Sequence, residues 1–177
     1  MRFTQGFISY AAAVLLCLAG VGVFLLITPQ SREERIPRRE YTITVANFNR
    51  EVPYKAWAPT ADPAGWVPNS NRIASGENGA KAMFLGYATA KRAHAMFVQS
   101  DERPADGFAN RMANSAQSVG TEQVNGQPWD KRYRKDKNQR TLVRTLPDVT
   151  LVVTGTADWP ELAQLAAALG ERPKATS

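Results

Sequence analysis

The only histidine in the sequence, His94, is the residue around which a Ser-His-Asp triad or a histidine-ligated metal would have to be built. It stands between Ala93 and Ala95 at the start of a short apolar run. The one cysteine, Cys17, lies in the distant N-terminal region, so no soft ligand follows or precedes the histidine closely. This setting favours a structural or surface histidine, and the sequence predicts neither a catalytic histidine nor a metal site.

The acidic side chains that could supply a pair of catalytic carboxylates are scattered. Asp101, Glu102 and Asp106 fall in one polar loop, whereas Asp158 and Glu161 open a helical pattern. Two carboxyl groups that share acid and base roles lie about 5 to 9.5 Å apart across a cleft. The spacing here does not indicate such a pair, and we interpret these side chains as solvent-exposed or helix-capping groups.

The segment VVTGTADWPE, residues 152–161, has the strand, glycine turn and helix start of an anion site at a helix N-terminus. It lacks the further glycines of a dinucleotide fingerprint and the Gly-Lys-Ser/Thr of a phosphate-binding loop. Asp158 would also place a carboxylate where the anion should bind. The pattern therefore predicts a structural connection, and no cofactor is expected.

The stretch WDKRYRKDKNQRTLVR, residues 129–144, holds seven basic and two acidic side chains in a chain of net charge +6. On a strand, Trp129, Lys131 and Tyr133 face one way, while Arg132 and Arg134 face the other. Such a hairpin is compatible with single-stranded nucleic acid, anionic lipid, an acidic partner or water alone. The candidate contacts are Lys131, Arg132, Arg134, Lys135, Lys137 and Arg140, together with Trp57 and Trp66 in a loop-like segment.

An uncharged run begins at Phe7 and ends at Ile27. As a helix it would extend over roughly 30 Å, the thickness of a bilayer's hydrocarbon core. The run exceeds the apolar region of a signal peptide, and Leu15 and Leu16 before Cys17 differ from a lipoprotein signal. We therefore expect an uncleaved transmembrane anchor and contact with the lipid bilayer from Phe7 to Ile27.

The charges that flank this run leave its orientation open. Arg32, Arg35, Arg38 and Arg39 follow it, which favours a cytoplasmic domain by the positive-inside rule. A short N-terminal tail before an anchor, however, often stays inside while a long folded domain is exported. We expect a tail and anchor at residues 1–28, a linker at 29–40, the folded domain at 41–170 and a flexible tail at 171–177.

Local patterns in the domain predict an α+β fold, an antiparallel sheet with two amphipathic helices packed on one face. Period-two alternation and turn residues predict the strands, and apolar spacings of three and four predict the helices. The predicted strands cover residues 41–45, 81–89, 94–99, 122–135 with a break at Asn125-Gly126, 140–146 and 149–154. The predicted helices cover 105–119 and the segment after Asp158, where Glu161 completes a capping box.

The order of several short motifs is similar to a known family. GWVPNS, FLGYAT, FVQSD, VNGQPW and LVVTGTADWPELAQLAAAL follow one another in the sequence. Over residues 41–170 the chain resembles the uncharacterised actinobacterial membrane-protein family called domain of unknown function 4245. The resemblance implies a single-pass membrane protein whose α+β domain is extracytoplasmic. The family has no established activity, so no catalytic residue is carried over.

Taken with this resemblance, the sequence predicts a membrane-anchored, non-catalytic binding or accessory domain at the outer face of the plasma membrane, as a subunit of a larger membrane or envelope complex. Its expected partners are lipid and a membrane protein, and no nucleic acid is expected. One alternative is an envelope hydrolase with an unrecognised site. Another is a cytoplasmic-facing domain that binds polyanions through residues 131–140.

Overall fold

The computed structural model of this protein describes residues 3–27, 36–76 and 79–174. The chain divides into two units, Met1–Arg35 and Ile36–Ser177. The described part of the first unit is helix α1, Phe3–Ile27. The second contains three further α-helices, a short 3-10 helix at Lys135–Lys137 and nine strands among its described residues.

The expectation of a transmembrane helix is wrong. None of the helices in the described ranges is both long enough and apolar enough to cross a membrane. The side chains described on α1, from Tyr10 to Phe24, are exposed. The fold class is therefore corrected to α+β without this element.

A seven-stranded antiparallel sheet forms the centre of the second unit, with the strand order β2-β3-β4-β8-β7-β6-β5. Two short strands, β1 and β9, form a separate antiparallel pair. The strands are β1 Trp57–Pro59, β2 Val67–Ser75, β3 Lys81–Ala88, β4 His94–Ser100, β5 Ser118–Val124, β6 Gln127–Arg134, β7 Gln139–Thr145, β8 Thr150–Gly155 and β9 Leu169–Glu171. The helices of this unit are α2 Thr42–Glu51, α3 Ala105–Ala113 and α4 Trp159–Ala168.

Helices cover both faces of this sheet, which corrects the expected one-sided packing. Leu151 and Val153 belong to the core cluster that includes Leu162 of α4, and Val152 belongs to the cluster that includes Phe108 of α3. Adjacent residues of a strand point to opposite faces, so α3 and α4 lie on opposite sides. The reason is visible in the central strands, which are apolar at consecutive positions and therefore require cover on both faces.

The predicted strand at residues 41–45 is instead the start of helix α2. Val45, Phe48 and Val52 are buried in the core at spacings of three and four. The alternation of YTITV covers only five residues, whereas the helical spacing of these apolar side chains covers a longer window. Burial of one helical face therefore outweighs the strand preference of Thr, Ile and Val.

The predicted helix at residues 105–119 ends earlier, at Ala113. Asn114 follows with φ 51° and ψ 27°, the left-handed conformation that commonly ends a helix. The remaining residues enter the edge strand β5, where Val119 is 55% exposed. The predicted hairpin of β3 and β4, the strands β6 to β8 and the capping box of α4 are confirmed.

Candidate functional site

A groove of about 1070 Å³ lies beside helix α2. One of its walls is a single helical face, formed by Thr42, Val45, Ala46, Asn49 and Arg50. The other walls come from the segment before α2, the segment that begins at the last residue of β1 and the chain after β9. Those segments contribute Arg38, Glu40, Tyr41, Pro59, Thr60, Ala61, Asp62, Arg172, Pro173 and Lys174.

Asp62 holds the end of the groove at which α2 begins. Its carboxylate accepts a hydrogen bond from the Arg38 guanidinium at 2.7 Å and from the Tyr41 hydroxyl at 2.6 Å. Burial and this hydrogen bond raise the pKa of Tyr41 to about 12, so the phenol is a donor at neutral pH. Both Asp62 oxygens are therefore used to fasten the segment before α2 to the wall after β1.

Asn49 and Lys174 fasten the other end of the groove. The Asn49 side chain donates to the Pro173 carbonyl at 2.9 Å and accepts from the Ala56 amide at 2.9 Å. The Lys174 ammonium donates to the Asn49 carbonyl at 2.5 Å and also to the Val52 carbonyl. A cation beside the last carbonyl groups of a helix is favourable because these groups carry partial negative charge.

The pairing of β1 with β9 positions Arg172 in the groove. Trp57 pairs with Glu171, and the Arg172 amide donates to the Ala56 carbonyl at 2.7 Å. The Arg172 guanidinium donates to the Pro59 carbonyl and is only partly buried. Its position is thus set by two strands that are more than 100 residues apart in sequence.

The basic side chains of the groove differ in their partners. Arg38 contacts the carboxylates of Asp62 and Glu40. Among the described residues, Arg50 has no ion pair, while Arg172 and Lys174 bond only to carbonyl oxygens. A guanidinium or ammonium without a carboxylate partner retains its attraction for an anion. The part of the groove away from Arg38 therefore has the character of an anion-binding surface.

Trp66 and Trp57 do not form an exposed aromatic platform. Trp66 is buried, and its ring lies 6.1 Å from that of Tyr87 in a T-shaped arrangement. Trp57 is half-buried, its backbone is bonded to the Gln99 side chain, and the Arg144 guanidinium lies 5.8 Å from its ring centroid. We conclude that Trp66 is a core residue and that Trp57 lies at the edge of the core.

The basic hairpin of β6 and β7 uses much of its charge within the domain. Lys131 pairs with Glu122 at 2.8 Å and lies 4.4 Å from the Trp159 ring centroid. Arg134 pairs with Asp136 at 2.9 Å. Arg140 lies 5.4 Å from the ring centroid of Tyr133.

The most buried of these side chains is Arg132. It pairs with Asp130 at 2.7 Å and donates to Asn110 of α3. It also lines a second cavity of about 500 Å³ on the α3 side of the sheet. Within the described part of the chain, only Lys135 and Lys137 of the six predicted basic contacts have no ion pair or aromatic contact.

The eight predicted contacts are the six basic side chains of the hairpin together with Trp57 and Trp66. None of them lines the groove beside α2. Period-two alternation sends the hairpin side chains to opposite faces of the sheet, where they meet different neighbours. The hairpin therefore does not assemble its basic side chains into one described surface with a common cavity. Its role in binding stays a prediction.

His94 and the scattered acids have structural surroundings. The His94 carbonyl accepts from the amides of Thr156 and Ala157 at 2.9 and 3.1 Å, and burial lowers the pKa of its imidazole. Glu102 is buried and bonded to Arg111 at 2.5 Å. In the described ranges, no group of three or more His, Cys, Asp or Glu side chains could hold a metal.

The connection at residues 152–161 has the structural role that the sequence predicts. Asp158 accepts from the Glu161 amide at 3.0 Å, and the Glu161 side chain accepts from the Asp158 amide at 3.3 Å. The hydrogen bond from Lys91 lowers the pKa of Asp158, and the bond from the Glu161 amide lowers it further. A Cβ on Gly155 would lie 2.1 Å from the His94 carbonyl oxygen, so close backbone approach requires glycine here.

Sequence reasoning missed the residues that line the groove. Arg50 joins Ala46 and Asn49 on one face only if the segment is read as a helix, and the strand pattern of YTITV obscured this. Arg172 and Lys174 lie in residues 171–177, the segment that the sequence predicts to be a flexible tail. The signal in the sequence that indicates helix α2, and with it this groove wall, is the helical spacing of Val45, Phe48 and Val52.

Comparison with known proteins adds the family. No curated protein matches this chain. The model of a family described as a protein of unknown function, DUF4245, matches residues 2–169. The match includes α1, the whole sheet and the α2 wall of the groove. Since it covers nearly the full length of the sequence, the chain belongs to the DUF4245 family.

Proposed function

We propose that the second unit is a non-catalytic binding domain, an accessory subunit that holds a partner in the groove beside α2. The observation that carries this proposal is the groove itself, a cavity of about 1070 Å³ with polar, cationic and small apolar walls. Binding sites are typically concave, with a few polar groups that orient the ligand among apolar ones. The groove fits this description.

The chemistry of the lining favours binding over catalysis. Asp62 is occupied by Arg38 and Tyr41, and Glu40 contacts the same arginine. A general base must reach the proton that it removes, whereas Asp62 already has a donor on each oxygen. The remaining charged groups of the groove are Arg50, Arg172 and Lys174, which are suited to holding an anionic group in place.

We place this function at the outer face of an actinobacterial plasma membrane, where the accessory domain would join a membrane or envelope complex. This location rests on the motif order of the sequence and on what the family resemblance implies. Such a setting suits the second unit because the one cysteine of the sequence, Cys17, lies outside it, and its core then needs no particular redox state.

Site-specific photo-crosslinking tests the proposed function in the native host. A photoreactive phenylalanine analogue replaces Ala46, which is exposed on the groove wall. The control position is Gln117, an exposed residue between α3 and β5 that lies outside the groove. We expect one reproducible crosslinked species at position 46, identified by mass spectrometry, and none of comparable yield at position 117.

A steric variant completes this experiment. Ala46→Trp adds a large ring to the groove wall and should displace the partner, while Gln117→Trp should not. The loss is measured as the yield of the same crosslinked species, with the photoreactive residue moved to Thr42 on the same wall. Equal crosslinking at positions 46 and 117, or a species that persists in the Ala46→Trp variant, would contradict the proposal.

A further inference from the structure

We infer that the groove binds an extended, acidic peptide segment of a partner protein. This inference rests on the proposed function and adds the chemical class of the ligand. It comes from three features of the groove: its unpaired cations, its length and the shallow apolar surface between the charged positions.

The first feature is the contrast between two sets of basic side chains. On the hairpin, Lys131, Arg132 and Arg134 each contact a carboxylate of the same domain. In the groove, Arg50 has no such contact among the described residues. Charge that the fold has already paired is weakly available to a ligand, whereas an unpaired guanidinium retains five donors for a carboxylate.

Arg172 and Lys174 extend the unpaired charge along the groove. Both donate to neutral carbonyl oxygens, Arg172 to Pro59 and Lys174 to Asn49 and Val52. These bonds fix the position of the side chains without cancelling their charge. A cation held in place loses less conformational entropy when it binds an anion, so the bonds prepare the two side chains for a ligand.

The second feature is length. The lining face of α2 runs from Thr42 to Arg50, which is about 12 Å at 1.5 Å per residue. An extended peptide rises about 3.3 Å per residue, so the wall accommodates roughly four residues. The groove cations belong to different walls, Arg50 to α2 and both Arg172 and Lys174 to the chain after β9, which suits several carboxylates on one chain.

The third feature distinguishes a peptide from a lipid. The apolar lining is small and consists of Val45, Ala46, Pro59, Ala61 and Pro173, with Thr60 and Asn49 between them. An acyl chain gains affinity by burying a long continuous apolar surface, and this lining does not supply one. Small side chains between acidic ones fit such a surface better.

Peptide titration of the full chain tests this inference. The chain is kept dispersed in a mild non-ionic detergent because apolar side chains of α1 are exposed. The probes are fluorescein-labelled hexapeptides, alternating alanine and glutamate in one and alanine and glutamine in the other. Fluorescence polarisation should show at least tenfold tighter binding of the glutamate peptide, with the difference shrinking as salt is raised.

Matched charge variants locate the binding. Arg50→Gln should remove most of the preference for the glutamate peptide, and the double variant Arg50→Gln with Arg172→Gln should remove it completely. Arg92→Gln is the control because Arg92 is exposed, forms no ion pair within the described ranges and lies outside the groove. The Arg50 side chain forms no ion pair or hydrogen bond with the residues that the structure describes, so loss of binding in its single variant would not reflect a damaged fold.

The outcomes separate the inference from the proposed function. Equal affinity for both peptides, or equal losses in the Arg50 and Arg92 variants, would overturn the acidic specificity. If Ala46→Trp abolishes binding of both peptides while the arginine variants change nothing, the groove binds a partner but not through acidic side chains.

Tighter, arginine-dependent binding of phosphatidylglycerol vesicles, measured after the detergent has been removed, would replace the peptide with a lipid. If neither peptide binds and the crosslink at position 46 is also absent, both proposals are wrong.

Discussion

Residues of the same type have different roles in this domain because their neighbours differ. Arg132 is nearly buried between Asp130 and Asn110, so its charge holds β6 to α3. Arg50 is exposed on α2 and has no carboxylate partner in the described part of the chain, so its charge is available to a ligand. A basic residue therefore indicates binding only when the acids that could neutralise it are known.

Replacing Arg132 tests the structural role of the hairpin. We expect Arg132→Ala to lower the free energy of unfolding by about 2 kcal/mol, because Asn110 and the Ser115 carbonyl lose a charged donor. Its ion-pair partner Asp130 is partly exposed, so that carboxylate stays hydrated. Lys135→Ala on the adjoining turn should change it by less than about 0.5 kcal/mol, because that side chain is exposed. Urea denaturation followed by circular dichroism measures both. Equal effects would show that Arg132 is not a structural residue.

At the scale of elements, the junction between β8 and α4 depends on close backbone approach. Gly155 pairs with Ala95 on one side and with Arg140 on the other. The backbone of His94 and Ala95 occupies the space where a side chain at position 155 would lie. The capping box of Asp158 and Glu161 then begins the helix within three residues. The backbone at Gly155 is therefore held on both sides and cannot shift to make space for a side chain.

Two glycine substitutions test this constraint. Gly155→Ala should lower the free energy of unfolding by about 3 kcal/mol, since a Cβ would overlap backbone atoms that cannot move independently. Gly107→Ala is the matched control on α3, where the nearest atom to a new Cβ is 3.5 Å away. It should raise stability by about 0.5 kcal/mol because alanine favours a helix. Thermal unfolding of both variants shows whether each substitution raises or lowers stability. An unchanged stability of Gly155→Ala would show that the close backbone approach does not require glycine.

For the whole molecule, the position of the folded unit in the cell stays a prediction. We expect alkaline phosphatase fused after Ser177 to be active, because that enzyme requires export to form its disulfides. A fluorescent protein that matures only in the cytoplasm, fused at the same position, should stay dark. The reverse pattern would place the domain inside the cell and would favour the polyanion-binding alternative.

The fold could be predicted in large part where one local pattern decides the outcome. The β3 and β4 hairpin, strands β7 and β8 and the capped start of α4 each follow from apolar period and turn residues within a short window. The strand predicted at residues 41–45 is wrong because two periods compete in the same residues, and α3 ends before the predicted residue because Asn114 adopts a left-handed conformation. Sequence propensity alone does not decide between such alternatives.

By itself, then, the sequence determined the α+β class, the order of most strands along the chain, the capped helix and the absence of a recognised catalytic motif. Only the tertiary structure decided that the helices cover both faces of the sheet, that the hairpin cations are largely paired and that Arg50, Arg172 and Lys174 share a groove. The physical reason is distance along the chain. Ion pairs such as Arg38 with Asp62, and the pairing of Trp57 with Glu171, join residues that no local pattern relates.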